Sequence, residues 1–232
     1  MKLVLSMAVA FAAVVMLWAW FARPSQDLTA VGEAQCTNVV IDWVQVFQVN
    51  GARYYISPEN RDASPRLGPE IARVQYNVRA NVCDPYYRLK DGDATFLPEG
   101  TSIYRVDTYR PEQVLAAAGQ VYEARPEGGV VGADQLPFRD GVQRIAILSN
   151  FDASEEASID EADLIDAVVT AALAAPVEGE TAGDWDHFLE FEMEDGLRFR
   201  RSYNSLTGNM RDGVRLPEAA QEIIRDALRG GR

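Results

Sequence analysis

His187-Phe188-Leu189-Glu190-Phe191-Glu192-Met193-Glu194-Asp195-Gly196-Leu197-Arg198-Phe199-Arg200-Arg201-Ser202-Tyr203 alternates apolar and polar residues on both sides of Asp195-Gly196. Alternation with period two marks a half-buried strand, so this is a hairpin. Its register follows from the side chains. A two-residue turn at Asp195-Gly196 sets Met193 against Arg198 and Phe191 against Arg200, a poor match. A three-residue loop, Glu194-Asp195-Gly196, sets Met193 against Leu197 and Phe191 against Phe199. The other face then pairs Glu192 with Arg198 and Glu190 with Arg200. Only the longer loop, with Gly196 left-handed, satisfies both faces. It also places His187 across from Tyr203.

An amphipathic helix lies on each side of this hairpin. Leu164, Ile165, Val168, Val169 and Ala172 recur at helical spacing, with Ser158 and Glu161 as an expected capping box and Pro176 past the end. The last helix is expected from Pro217 to Gly230-Gly231, burying Ala220, Ile223, Ile224, Ala227 and Leu228. A hairpin feeding a helix packed on its sheet defines an α+β unit.

Upstream the signals are short strands and turns. Asn50-Gly51 separates expected strands at Val39–Val49 and Ala52–Ile56. A polar loop, Ser57 to Pro69, leads to a strand at Arg73–Val78. Thr95-Phe96-Leu97, Ser102–Val106, two short strands around Gly119 within Val114–Glu123, and Val142–Leu148 follow. A Gly-rich stretch from Pro126 to Gly132 interrupts them. The expected fold is therefore α+β: a strand-rich antiparallel domain with two amphipathic helices, behind a single N-terminal transmembrane helix. Its parts are an anchor or uncleaved signal at 1–23, a polar tether at 24–35, a β-rich region at 36–150, and an α+β region at 151–232 packed with it.

The anchor is Leu3 to Ala22, twenty residues without a charge. At 1.5 Å per residue they span about 30 Å, a bilayer's hydrocarbon thickness. A cleaved signal peptide needs a shorter core and a nearby small-x-small site. Here Trp18, Trp20 and Phe21 crowd that position, and Gly32-Glu33-Ala34 lies far downstream. The uncleaved anchor is the better reading. Lys2 and Arg23 nearly balance under the positive-inside rule, while the tryptophans and the two cysteines favour a domain outside the cytoplasm.

Cys36 and Cys83 are the only cysteines, and in an oxidising compartment they are expected to pair. The formal net charge of -13, with no basic stripe along the sequence, argues against nucleic acid and anionic lipid as partners. His187 is the sole histidine, so any histidine-dependent triad must use it. Its phase with Leu189, Phe191 and Met193 makes it a structural residue instead. The acidic run from Asp152 through Glu155, Glu156, Asp160, Glu161, Asp163 and Asp166 lacks the spacing and glycine of a calcium loop, and reads as an acidic helix N-terminus. Asp91, Asp93 and Glu99 form a second, weaker cation candidate. Tyr54, Tyr55, Tyr76, Tyr86, Tyr87, Tyr104, Tyr109 and Tyr122 are available for stacking on sugars or partner proteins, or for packing. Glu127-Gly128-Gly129 is no phosphate loop, and no nucleophile elbow occurs. No catalytic, metal-binding or cofactor-binding residue is assigned.

Arg73-Val74-Gln75-Tyr76-Asn77-Val78, Asp84-Pro85, Asp91-Gly92-Asp93-Ala94 and Phe96-Leu97-Pro98-Glu99-Gly100-Thr101 match a recurring family pattern, to which Val121-Tyr122-Glu123-Ala124 and Phe188-Leu189-Glu190-Phe191 also belong. Together they resemble an uncharacterised family of bacterial cell-envelope proteins, many of them lipoproteins. This chain has an apolar helix where those carry a lipid-modified cysteine. The resemblance implies an envelope location and brings no activity. The expected function is a membrane-anchored extracytoplasmic binding, sensing or envelope-assembly domain with an envelope protein or glycan as partner and no cofactor. The alternative is an envelope hydrolase using paired carboxylates on a glycan.

An uncleaved anchor has a direct consequence. The native protein should begin at Met1 and stay with membranes through carbonate washing. N-terminal sequencing that starts beyond Ala22 would refute it.

Overall fold

Asn50 and Gly51 both sit at positive φ, 51° and 78°, and fold β1 (Val46–Val49) back on β2 (Ala52–Ile56) from the closing pair Val49↔Ala52. Asparagine and glycine are the residues that tolerate this geometry. The computed structural model describes residues 36, 41–125, 136–138, 141–176, 184–211 and 213–231. The expected membrane helix, the tether and the whole Gly-rich stretch lie outside them. No helix among the described residues is long and apolar enough to cross a membrane.

The first sheet continues with β3 (Leu67–Arg73), β4 (Tyr76–Asn77), β5 (Asp93–Ala94), β6 (Ser102–Val106), β7 (Val114–Ala117) and β8 (Gln120–Arg125). Its order is β3-β6-β7-β8-β2-β1-β5-β4, so its two outermost strands are consecutive in sequence. Only Val74 and Gln75 separate them, and the Val74 amide and carbonyl bond to Thr101 and Gly100. Edges joined by so short a link force the sheet to roll up as a barrel. Phe47, Tyr54, Leu97, Ile103, Leu115 and Tyr122 fill the interior. Phe47 stacks on Tyr54 with centroids 5.2 Å apart and tilts against Tyr122 at 4.8 Å.

The second sheet holds β9 (Val142–Ser149), β10 (Glu155–Ile159), β11 (His187–Met193) and β12 (Arg198–Tyr203) in the order β10-β9-β11-β12, antiparallel throughout. The division between sheets therefore falls between residues 125 and 142. The β11–β12 register is the one the side chains require: His187↔Tyr203, Glu190↔Arg200, Phe191↔Phe199 and Glu192↔Arg198, with Gly196 at φ 84°. Ile145, Ile147, Leu189, Phe191 and Phe199 form the core face. Helices α2 (Ala162–Ala174) and α3 (Glu218–Gly230) pack into the same cluster through Val168, Ala172 and Ile224. The barrel enters it from outside through Val114, Ala116 and Val121, while Leu115 and Ala117 of the same strand point inward. Burial on both faces explains why β7 reads as an unbroken apolar run.

Several local expectations are corrected. The strand expected at Arg73–Val78 breaks at Val74, and Val78 opens α1 (Val78–Asn81), a third, one-turn helix capped by Asn77 accepting from the Ala80 amide. Strand β5 is Asp93–Ala94 rather than Thr95–Leu97, because the Thr95 hydroxyl and amide turn back to the Val44 and Val46 carbonyls. β1 begins at Val46, not Val39. Ser158 does not cap α2: it lies in β10 and donates to Asp160, and Glu161 caps without a side-chain bond. Part of the acidic run is thus a strand, not a helix N-terminus.

The outer edge of β12 is closed by the barrel. Asn60, in a single 3-10 turn at Pro58–Asn60, accepts from the Arg198 amide at 2.8 Å and donates to its carbonyl at 2.6 Å. Asn60 is buried, so its amide is a surrogate strand partner. Asn60→Ala should cost about 1–3 kcal/mol in urea unfolding. No change in stability would mean that water satisfies that edge equally well.

Candidate functional site

β12 is an edge strand, so residues from both of its faces reach the seam where the barrel meets the second sheet. A cavity of about 220 Å³ opens there, floored by Glu123 and Arg201 and walled by Glu59, Arg125, Phe188, Arg200 and Arg211. Glu123 and Arg201 are bonded at 2.6 Å, with 6% and 8% of their side chains exposed. The second Glu123 oxygen accepts from the Ser57 hydroxyl at 3.2 Å. Arg200 donates twice to the buried Glu190, at 2.6 and 2.9 Å, and its guanidinium lies 5.4 Å from the Phe188 ring centre.

Arg125 is held differently. Its guanidinium lies 5.5 Å from the Tyr55 ring centre, and among the described residues neither it nor Arg211 has a carboxylate partner. Arg125 also borders a second depression of about 160 Å³, with Gln48, Arg53 and Arg88. Arg53 and Arg125 are direct cross-strand neighbours in β2 and β8. Five arginines from four separate parts of the chain thus form a local basic belt on an acidic protein. The grouping is spatial, and no stretch of the sequence is itself a basic stripe.

Burial raises the Glu59 carboxyl above the usual range, and the Glu123 charge raises it further, against hydrogen bonds that lower it. Glu59 and Glu123 line the same cavity, as a hydrolase's carboxylate pair would have to. However, Glu123 has both oxygens committed, one to Arg201 and one to Ser57.

His187 lies across from Tyr203 as the register requires, but no hydrogen bond joins its ring to the Tyr203 hydroxyl. Instead Nε2 lies 3.1 Å from Glu156, and Nδ1 lies 3.1 Å from Asp186 in a close electrostatic contact rather than an aligned hydrogen bond. Burial pushes the Asp186 carboxyl up, but bonds from the Ser205 hydroxyl and amide, with His187 beside it, hold it below the usual range. Serine, aspartate and histidine do meet here, in the wrong order for catalysis. Ser205 donates to the aspartate, and the far ring nitrogen faces a carboxylate rather than a hydroxyl.

The other acidic candidates are engaged in local structure. Asp152 accepts from the Ser154 amide and hydroxyl, while Glu155, Asp160 and Glu192 surround Arg144. Asp91 accepts from the Gly51 amide, Asp93 from the Tyr87 hydroxyl and Lys90 amide, and Glu99 from the Asn77 amide. Among the described residues no group of three or more His, Cys, Asp or Glu side chains could hold a metal ion. Of the tyrosines, Tyr54, Tyr109 and Tyr122 are buried and Tyr86 is exposed. Tyr55, Tyr76, Tyr87 and Tyr104 are half-buried. The sulfurs of Cys36 and Cys83 lie 1.97 Å apart, at disulfide distance.

A larger cavity, about 510 Å³, lies between Tyr109 and the tip of the β11–β12 hairpin. Tyr109 donates to Asp195 at 3.1 Å and packs edge-on against Phe199. Burial, then the Asp195 charge, pushes its phenol up, so it stays protonated at neutral pH. That cavity mixes Arg110, Glu194 and Asp195 without a preferred sign. The chain matches no protein-family model, no curated protein and no solved structure.

Two outcomes follow. Glu123→Ala leaves Arg201 charged and buried, and should destabilise the fold by about 3–5 kcal/mol. Glu59 binds its proton more tightly when folded, so the stability it contributes is full below the ordinary Glu value of 4.5 and is lost as pH rises through the folded-state value. Glu59→Gln should therefore gain stability relative to the parent as pH increases across that window, measured by denaturant titration at successive pH values. A constant difference would show that Glu59 titrates normally.

Proposed function

We propose that this chain is a membrane-anchored, extracytoplasmic binding domain of the cell envelope that holds its ligand without transforming it. One observation carries the reading. Among the described residues the seam between barrel and sheet leaves Arg125 and Arg211 without carboxylate partners beside Phe188, while Glu123 and Glu190 are bonded to Arg201 and Arg200. Cations left open in a concave site recognise, and a carboxylate bound to a guanidinium is held ionised, which makes it a poor acid and a weakened base.

The hydrolase alternative would have to use Glu59 with Glu123. The double engagement of Glu123, and a cavity of only about 220 Å³, speak against a glycan chain passing between them. A second surface suits the assembly side of the reading. At one end of the second sheet, Phe151 and Leu206 are 98% and 88% exposed. Their turns are braced by Ser149 and Asn204 and laced together through Asp186. Rigid turns presenting large apolar side chains fit a protein partner.

His187→Gln tests the structural role of the histidine, and a glycan assay separates the two readings. It should cost about 1–2 kcal/mol of stability and leave ligand binding intact well below the melting temperature. Incubated with cell-envelope glycan, the wild-type protein should release no new reducing ends. Release that is lost in Glu59→Gln would establish the hydrolase instead.

A further inference from the structure

The two depressions that share Arg125 adjoin along one surface, and their chemistry narrows the ligand. Arg88 and Arg53 border the first, Arg211 and Arg200 the second, and Phe188 supplies an apolar wall. Among the described residues Arg88, Arg125 and Arg211 have no carboxylate partner. Arg53 and Arg125 are direct cross-strand neighbours in β2 and β8, so the two depressions meet along that pair.

We propose that these depressions form one track for an acidic glycan, a short run of uronic-acid sugars whose carboxylates meet Arg88, Arg125 and Arg211 while a ring rests against Phe188. This rests on the binding reading and assigns it a ligand class. Guanidinium forks match planar carboxylates in two-point contact. Glu59 at the inner wall suits a hydroxylated ligand, because a carboxyl oxygen accepts from a sugar hydroxyl. A bare inorganic anion would leave that group and Phe188 unused. Nucleic acid fits less well. The track holds one aromatic side chain where single strands need several stacking platforms, and the net charge of -13 repels a long polyanion beyond the track. Anionic bilayers are disfavoured because the arginines sit in depressions.

The test is titration of the full chain, in non-ionic detergent at low salt, with trigalacturonate, maltotriose, a short single-stranded DNA and anionic vesicles. Trigalacturonate should bind saturably and weaken with added salt, and maltotriose should not bind. Arg125→Ala and Arg211→Ala should each weaken binding by about tenfold without changing the melting temperature. Arg73→Ala, on the remote β3, should leave it unchanged. Absence of trigalacturonate binding, indifference to both arginine variants, or tighter binding of DNA or vesicles would overturn the proposal. Equal binding of maltotriose through the same residues would overturn the ligand class while preserving the binding reading. Steady cleavage of trigalacturonate would overturn the binding reading while preserving the site.

Discussion

A carboxylate and a guanidinium removed from water together fix how the barrel meets the second sheet. Glu123 belongs to a barrel strand and Arg201 to the far edge of the other sheet, and each is almost wholly buried. Separating two such charges without solvent is costly, so the pair tolerates little sliding between the layers. It also sets the phase of β12: a slip of one residue would turn Arg201 outward and Arg200 inward, exchanging every partner on both faces. The placing of Arg200 on Glu190, the burial of Glu59 beside Glu123, and the opening between them all follow from that one alignment.

How much of this could be read in advance varies with the range of the interaction. The β11–β12 hairpin was legible because both faces constrain the same register, apolar on one side and oppositely charged on the other. Asn50-Gly51 and the turn at Ala118-Gly119 were legible because few residues accept positive φ. β10 was not. Its residues, Glu155 to Ile159, look like the acidic approach to a helix, and only pairing with β9 makes them a strand. The barrel was hidden too, since strands β3 and β4 carry no mark of their role as opposite edges of one sheet. The arginine belt is the clearest case. Arg53, Arg88, Arg125, Arg200 and Arg211 are scattered over most of the chain, and no local window shows them together. The one available hint was arithmetic: Arg198, Arg200 and Arg201 face only Glu190 and Glu192 within the hairpin.

Net charge and local charge act at different distances. Beyond roughly 10 Å, salt hides individual groups, and a visitor approaching this protein meets an acidic body. Within that distance it meets the belt, where cations outnumber the anions not already paired. Such a surface discriminates by size. A compact anion is admitted, while an extended one must also lie against repelling carboxylates.

The pairing of Cys36 with Cys83 alters the mechanics of the chain's entry into the fold. Residue 83 follows α1 directly, whereas the backbone from residue 36 first reaches the barrel at Val46, in β1. A pull arriving along the N-terminal segment would otherwise load β1 alone and could strip it from β2 and β5. With the cross-link in place, that force passes through sulfur to the chain beyond α1, and residues 36 to 83 lie in a closed covalent loop that bears no tension. β1 and β2, the latter carrying Arg53, lie inside that loop and are shielded from tension applied at Cys36.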